Sequence, residues 1–202
     1  MASREGARVG RPRGFDADEA LGRAVRVFWE HGYEGASLNE LTEAMGINRT
    51  SMYAAFGNKE ELFRAALDRY TDGPASYGAR ALREPTAQKV ATAFLGGSVA
   101  ATTRPGCPAG CLGVQGSLAA GATARDARDT LIAWRNEGVS RLHERFQQAV
   151  DEGDLPSGTD PALLARYVMT VSNGIAVQAA SGTSQDELTR IADAALRNWP
   201  PA

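Results

Sequence analysis

The sequence predicts an all-α fold of about nine helices, divided into a small N-terminal unit and a larger C-terminal one. Three observations predict it. From Phe15 onward, apolar residues recur at helical spacing. Four pairs of capping type, Asp16 with Glu19, Ser37 with Glu40, Asn58 with Glu61 and Ser184 with Glu187, stand where helices should begin. No alternating apolar-polar run is bounded by Asn-Gly or Asp-Gly turns, so no strand is expected.

Taken in order, residues 1–14 (MASREGARVGRPRG) carry Arg4, Arg8, Arg11 and Arg13 against one acid, Glu5, and are broken by glycines and a proline. That composition predicts a flexible basic arm. Asp16 starts a first helix with Leu21, Ala24, Val25 and Phe28 on one face, ended by Gly32. Ser37 starts a second, ended by Gly46; Asn48 caps a third running to about Phe56; Asn58 opens a fourth running to about Tyr70. Residues 71–84 are rich in Gly, Ala, Ser and Pro and mark the boundary between the two units, placed at 15–70 and 71–202. Further helices are expected over Thr86–Thr102, Cys111–Ala120, Arg125–Glu152, Asp160–Ser181 and from Ser184 to the Trp199-Pro200-Pro201 stop. The stretch TRPGCPAG at 103–110 cannot be regular helix.

Composition narrows the function. The chain has 202 residues, 43% apolar, enough for a substantial core. Its formal charge of −2 gives no bulk attraction to nucleic acid, so such binding has to come from a local patch. Apart from Lys59 and Lys89 the basic residues are arginines. No apolar run is long enough to span a bilayer, and no apolar stretch follows the N-terminal arginines, so a soluble, cytoplasmic protein without a membrane partner is expected. Two cysteines do not make a secreted disulfide framework. No Ser, His and acid arrangement, Gly-rich phosphate loop or carboxylate pair stands out, and His31 and His143 lie far from the cysteines. Neither catalysis nor a metal or other cofactor is expected.

The second and third helices carry the most specific signal. Leu41, Ala44 and Met45 share one face of the second, and Ile47 fills the turn. Met52 and Phe56, four apart, form the inner face of the third. Gly46 supplies the left-handed backbone that a tight bend between crossed helices needs. This is a helix-turn-helix. With Met52 and Phe56 inward, Arg49, Thr50, Tyr53 and Ala54 face outward on a slim helix that fits a major groove about 12 Å wide. Arg49 can donate two hydrogen bonds to guanine, and Thr50 can meet a base edge. Ser51, Tyr53 and Lys59 are phosphate-type donors. Lys59 opens the fourth helix, where acids are usual. A cation there makes sense if the helix start faces an anionic backbone.

The segments GRPRGFDADEAL, VFWEHGYEGASLNELTEAMGINRTSMYAAFGNKEELF and GCLGVQGSLAAG resemble the TetR (tetracycline-repressor) family of bacterial transcription regulators. The N-terminal likeness runs from about Gly10 to Leu67 without a gap; the C-terminal one is weaker, in EGDLP, DPALLARY and GIAVQAASG. The resemblance implies an all-α homodimer with a three-helix DNA-binding head and a body that binds a small-molecule effector. By matching positions it implies Asn39, Arg49, Thr50 and Tyr53 at bases and Ser37, Ser51, Tyr53 and Lys59 at phosphates. It also implies that Arg11 and Arg13 act as an arm toward the minor groove or the phosphates. One position departs: many relatives have a histidine or an aromatic where Ala55 stands, and alanine cannot touch the DNA backbone.

In the C-terminal unit, Leu164, Val168, Val171, Ile175 and Ala179 form one stripe, and Leu188, Ile191, Ala195, Leu196 and Trp199 another. Periodicity alone fits an internal core as well as a two-chain interface; the resemblance favours a four-helix dimer contact. Two recognition helices held about 34 Å apart would then read a pseudo-palindromic operator. Phe94, Cys107, Cys111, Val114, Gln115, Trp134, Tyr167 and Asn173 are candidates to line an effector cavity, with aromatic walls and a few polar groups. Cys107 and Cys111, in GCPAGC, are either small buried apolar residues or a thiol pair that senses oxidants or electrophiles. Two functions follow: a regulator released from DNA by a bound effector, or the same DNA binding switched through those thiols.

Overall fold

The computed structural model describes residues 14–118, 124–197 and 199–200, and among them every regular element is helical. The order is α1 (Ala17–Gly35), α2 (Leu38–Met45), α3 (Arg49–Phe56), α4 (Lys59–Asp72), α5 (Tyr77–Ala81), α6 (Ala87–Thr102), α7 (Leu112–Leu118), α8 (Arg125–Asp151), α9 (Pro161–Ala180) and α10 (Gln185–Leu196). The one segment beyond the expected set is α5, a single turn in the Gly/Pro-rich stretch. Arg11 and Arg13, with the rest of the arm, lie outside the described residues.

Local chemistry sets these boundaries. Ser37, Asn58 and Ser184 each close a reciprocal capping box with Glu40, Glu61 and Glu187. Asp16 caps α1 differently. Its carboxylate accepts from the amides of Asp18 and Glu19 at 2.9 and 3.2 Å, while Glu19 pairs with Arg23 at 2.6 Å. Asp160 caps α9, with Pro161 in its first turn. Gly32 breaks the helical path of α1 with φ at 69°, and the same φ at Gly46 ends α2 in the left-handed conformation.

Two buried clusters hold the chain together. The first packs Phe28, Trp29, Leu41, Met52, Phe63 and Tyr70 of α1–α4. Its aromatics meet edge to face, Phe28 with Phe63 at 5.0 Å and Trp29 with Tyr70 at 4.8 Å. This cluster does not stop at the end of α4: it takes in Cys111, Leu112 and Val114 around α7, Ala127 and Leu131 of α8 and Ala176 of α9. The second cluster joins α6, α8, α9 and α10 through Leu95, Phe146, Val168, Ile175 and Leu188.

That second cluster corrects the expected dimer set. Ile175, Ala179 and Leu188 are buried inside the protomer, so their side chains pack within their own chain. Val171, Ala195 and Trp199 are half-buried against the same core, Trp199 on Phe146 at 5.8 Å. Of the two stripes, Ile191 is the residue largely exposed, at 46%. Apart from Ile191, the stripe read along α9 and α10 is the face turned inward toward the core shared with α6 and α8. The outward-facing large apolar residues of these helices are Leu163, Val177 and Ile191.

Candidate nucleic-acid interface and cavity

The recognition surface is built by burying one edge of α3. Met52 is fully buried, and Phe56 packs half-buried against Phe15 at 6.4 Å. The opposite edge presents Arg49, Thr50, Tyr53 and Ala54 to solvent, Tyr53 at 48% exposure. Ala54 and Ala55 keep the rim narrow, so the helix can approach a groove floor. Asn48 holds the start of α3 by accepting from the Ser51 amide at 2.8 Å.

Asn39 lies on α2, yet it belongs to this surface. Arg49 Nη2 donates to Asn39 Oδ1 at 2.8 Å. The bond ties the two helices of the motif and orients one edge of the guanidinium, a function that spacing along the sequence does not reveal. Asn39→Ala is expected to keep the fold and to weaken DNA binding by about 1 kcal/mol, the net value of one exposed hydrogen bond. Titration of a labelled operator fragment measures it, and an unchanged affinity would remove Asn39 from the readout.

Lys59 is also more constrained than its position suggests. Its Nζ lies 4.5 Å from the centroid of the Tyr33 ring, a cation–π contact at the first turn of α4. Partial burial lowers its pKa, against the opposing pull of the Glu34 and Glu40 carboxylates. Ser37 Oγ accepts from the Glu40 amide at 3.2 Å, and the Glu40 carboxylate, whose pKa is lowered by its hydrogen bonds to the Ser37 hydroxyl and amide, accepts in return. Ser51 is half-buried and Ser37 exposed.

Comparison with known proteins agrees with this geometry. Residues 20–66 match the family model for bacterial regulatory proteins of the tetR family, and residues 91–195 match the tetracyclin repressor-like C-terminal domain. Together those matches cover most of the chain. It belongs to the TetR family. Among the relatives of this TetR-family regulator, the HTH-type transcriptional repressor ComR of Escherichia coli is 35% identical over 193 residues, covering 95% of this chain and 92% of ComR. The repressor BdcR of the same organism is 29% identical over 198 residues, covering 93% of this chain and 91% of BdcR. A cysteine variant of the TetR family transcriptional regulator CifR, complexed with 26-bp double-strand operator DNA, superposes with a TM-score of 0.90 at 42% identity. That alignment covers 94% of this chain and all (100%) of the CifR chain. The proteins it matches are transcription regulators, and no described helix is long and apolar enough to cross a membrane.

The body of this TetR-family protein holds a cavity of about 590 Å³ between α4, α5, α6, α8 and α9. Five expected residues line it: Phe94, Cys111, Val114, Trp134 and Asn173. Three do not. Cys107 is half-buried against the first core. Gln115 is wedged beside Gly110, where an added Cβ would lie 2.8 Å from its Nε2. Tyr167 turns toward α10 and donates its hydroxyl to the Ala195 carbonyl at 2.9 Å. Sequence reasoning missed Tyr77, Ser98 and Ser172, the polar corner of the cavity, where Ser172 Oγ donates to Ser98 Oγ at 2.9 Å. Tyr77 sits on α5, in the stretch whose composition hid a helix, and the serines are small residues on apolar helices.

The weak acids around the cavity are held neutral. Burial pushes Tyr77 up to about 12 and Tyr70 well above the usual tyrosine range. Burial also pushes the Cys111 thiol up, although the Tyr70 hydroxyl and the amides of Val114 and Gly113 pull the other way. An unfolded chain loses these protons earlier than the folded one. Their contribution is therefore fully present below about pH 8.5, the ordinary thiol value, and is lost as pH rises toward the raised folded values. Thermal melting is expected to show stability declining above about pH 8.5, and a decline reduced in Cys111→Ala would assign the first part of it to the thiol.

Two hydrogen bonds run from the region of the cavity to α4 and α1. Trp134 Nε1 donates to Thr71 Oγ1 near the end of α4 at 2.7 Å. Trp29 Nε1, on α1, donates to the Gly110 carbonyl at 3.1 Å in a buried setting. Gly113 leaves room for the Trp134 ring, since a Cβ there would lie 2.2 Å from it.

Proposed function

We propose that this TetR-family regulator is a homodimeric repressor that binds a pseudo-palindromic operator and is released when a small-molecule effector occupies the body cavity. One observation carries the DNA reading: Arg49, Thr50 and Tyr53 are exposed together on α3 while Met52 is buried behind them. Arg49 reads a guanine with Asn39 beside it; Thr50 and Tyr53 reach bases; Ser37, Ser51, Tyr53 and Lys59 hold phosphates. Arg11 and Arg13 add contacts beside the major groove. The operator complex of CifR and the repressor names of ComR and BdcR support the same reading. Such a protein works in the cytoplasm, where bacterial DNA lies.

The division into head and body at residues 70/71 follows the functional split, but the packing across it supplies the coupling. A ligand entering the cavity meets Trp134 and Thr71, and moving either shifts α4. If that arrangement favours a spacing of heads that no longer fits the operator, DNA is released. The decisive experiment is selection of bound fragments from genomic DNA, followed by gel shifts with the metabolites that neighbouring genes handle. A recovered palindrome whose complex a compound dissolves supports the proposal. Enrichment of no common sequence defeats it.

A thiol switch is the second reading, favoured by Cys111 lining the cavity next to Gly110, which holds Trp29. Burial opposes it, because a thiol pushed up is a poor nucleophile at neutral pH. Peroxide treatment of wild type and Cys111→Ser separates the two readings: equal loss of DNA binding ends the case for Cys111, and the same comparison with Cys107→Ser tests the other thiol.

A further inference from the structure

A lysine can be fixed in two ways. A carboxylate partner holds the ammonium but cancels its charge. The negative face of an aromatic ring holds it and leaves the charge available to a second partner. Lys59 is held in the second way, with Nζ 4.5 Å from the centroid of the Tyr33 ring. None of the ion pairs found among the described residues includes it; they join Arg23 to Glu19, Arg64 to Glu60, Arg69 to Asp18 and Arg141 to Glu137.

The ring that carries the ammonium is itself fixed. Gly32, with φ at 69°, breaks the helical path of α1 one residue before it. Tyr33 then packs half-buried on the first core, stacked beside Phe28 at 6.3 Å and edge to face with Phe63 at 5.2 Å. Phe28 belongs to α1 and Phe63 to α4, and both are fully buried. The ring therefore stands on the same helix whose first turn carries Lys59. Burial, with the Glu60 and Asp126 carboxylates, holds the Tyr33 hydroxyl above the usual tyrosine range, so a neutral ring and not a phenolate faces the lysine. A lysine stem that rotates freely loses that freedom when it meets a phosphate, and one already seated has less to lose.

The geometry points to Tyr33 as a positioning residue for DNA binding: its ring face holds the Lys59 ammonium at the start of α4, ready for a backbone phosphate. This rests on the phosphate role proposed above for Lys59 and deepens it.

Salt dependence reads the role, because each phosphate neutralised by a lysine adds about one to the slope. Fluorescence anisotropy at several salt concentrations, on a mixed-sequence duplex and on the selected operator, compares wild type, Tyr33→Phe, Tyr33→Leu, Lys59→Ala and the double variant of the last two. Tyr33→Leu is expected to weaken both duplexes about two- to fivefold and to lower the slope toward that of Lys59→Ala. Tyr33→Phe, which keeps the ring, is expected to restore the wild-type slope. In the Lys59→Ala background, Tyr33→Leu is expected to cost nothing further. A wild-type slope in Tyr33→Leu overturns the inference. So does an equal loss from Tyr33→Leu with and without the lysine, since a ring that only shapes the head would weaken binding in both backgrounds. Circular dichroism verifies helix content. If Tyr33→Leu loses its helix signal, trifluorophenylalanine at position 33 takes its place with the same outcomes, because it keeps the shape of the ring and withdraws charge from its face. A wild-type slope in Lys59→Ala defeats the phosphate role and the inference together; a lowered slope there beside an unchanged one in Tyr33→Leu defeats the inference alone.

Discussion

Phe28→Ala is expected to abolish operator binding by unfolding the head. The ring is fully buried, packs edge to face on Phe63 at 5.0 Å and stacks beside Tyr33 at 6.3 Å. Truncating a buried phenylalanine costs about 3–5 kcal/mol, a large share of the roughly 5–15 kcal/mol that holds a typical domain together. Urea unfolding followed by far-ultraviolet circular dichroism gives the loss of stability, and a gel shift gives the loss of binding. A loss of less than about 1 kcal/mol would contradict the packing described for α1 and α4. Leu41→Ala, equally buried on α2, provides a second truncation in the same cluster.

The second large effect separates reading from holding. Arg49→Ala is expected to cost about 1–3 kcal/mol at one base position and to relax preference there. Lys59→Ala is expected to weaken cognate and random DNA alike and to lower the salt slope by about one. The two substitutions leave different signatures because one side chain reaches beyond α3 while the other is seated on Tyr33 at 4.5 Å, at the start of α4. Fluorescence anisotropy with the selected operator and a scrambled duplex, at several salt concentrations, resolves both. Equal losses from Arg49→Ala on the two duplexes would take Arg49 out of base recognition.

Most helix boundaries were legible because they are set by local chemistry. Ser37, Asn48, Asn58, Asp160 and Ser184 each accept from an amide in the first turn of the helix that follows, and Gly46 ends α2 by its left-handed backbone. The exposed edge of α3 was legible for the same reason, since burying Met52 leaves Arg49 and Tyr53 nowhere else to go. What was not legible depends on contacts distant in sequence. The stripe on α9 has the same period whether it meets α6 or another chain, so Ile175 and Ala179 could not be assigned from spacing. The polar corner at Tyr77, Ser98 and Ser172 joins three helices that nothing in their local sequence connects. The bond from Arg49 to Asn39 spans ten positions and depends on how α2 and α3 cross.

The continuity of the first core beyond α4 bears on how such proteins diversify. Cys111, Leu112 and Val114 serve as a floor for the reader while also edging the sensor. A chimaera spliced after Asp72 would seat a foreign head on a floor shaped for Trp29, whose indole donates to the Gly110 carbonyl, and for Tyr70, which packs on Trp29. Grafting should succeed only when the strip from Gly110 to Val114 travels with the donor head, so exchange of specificity between relatives proceeds in two linked pieces.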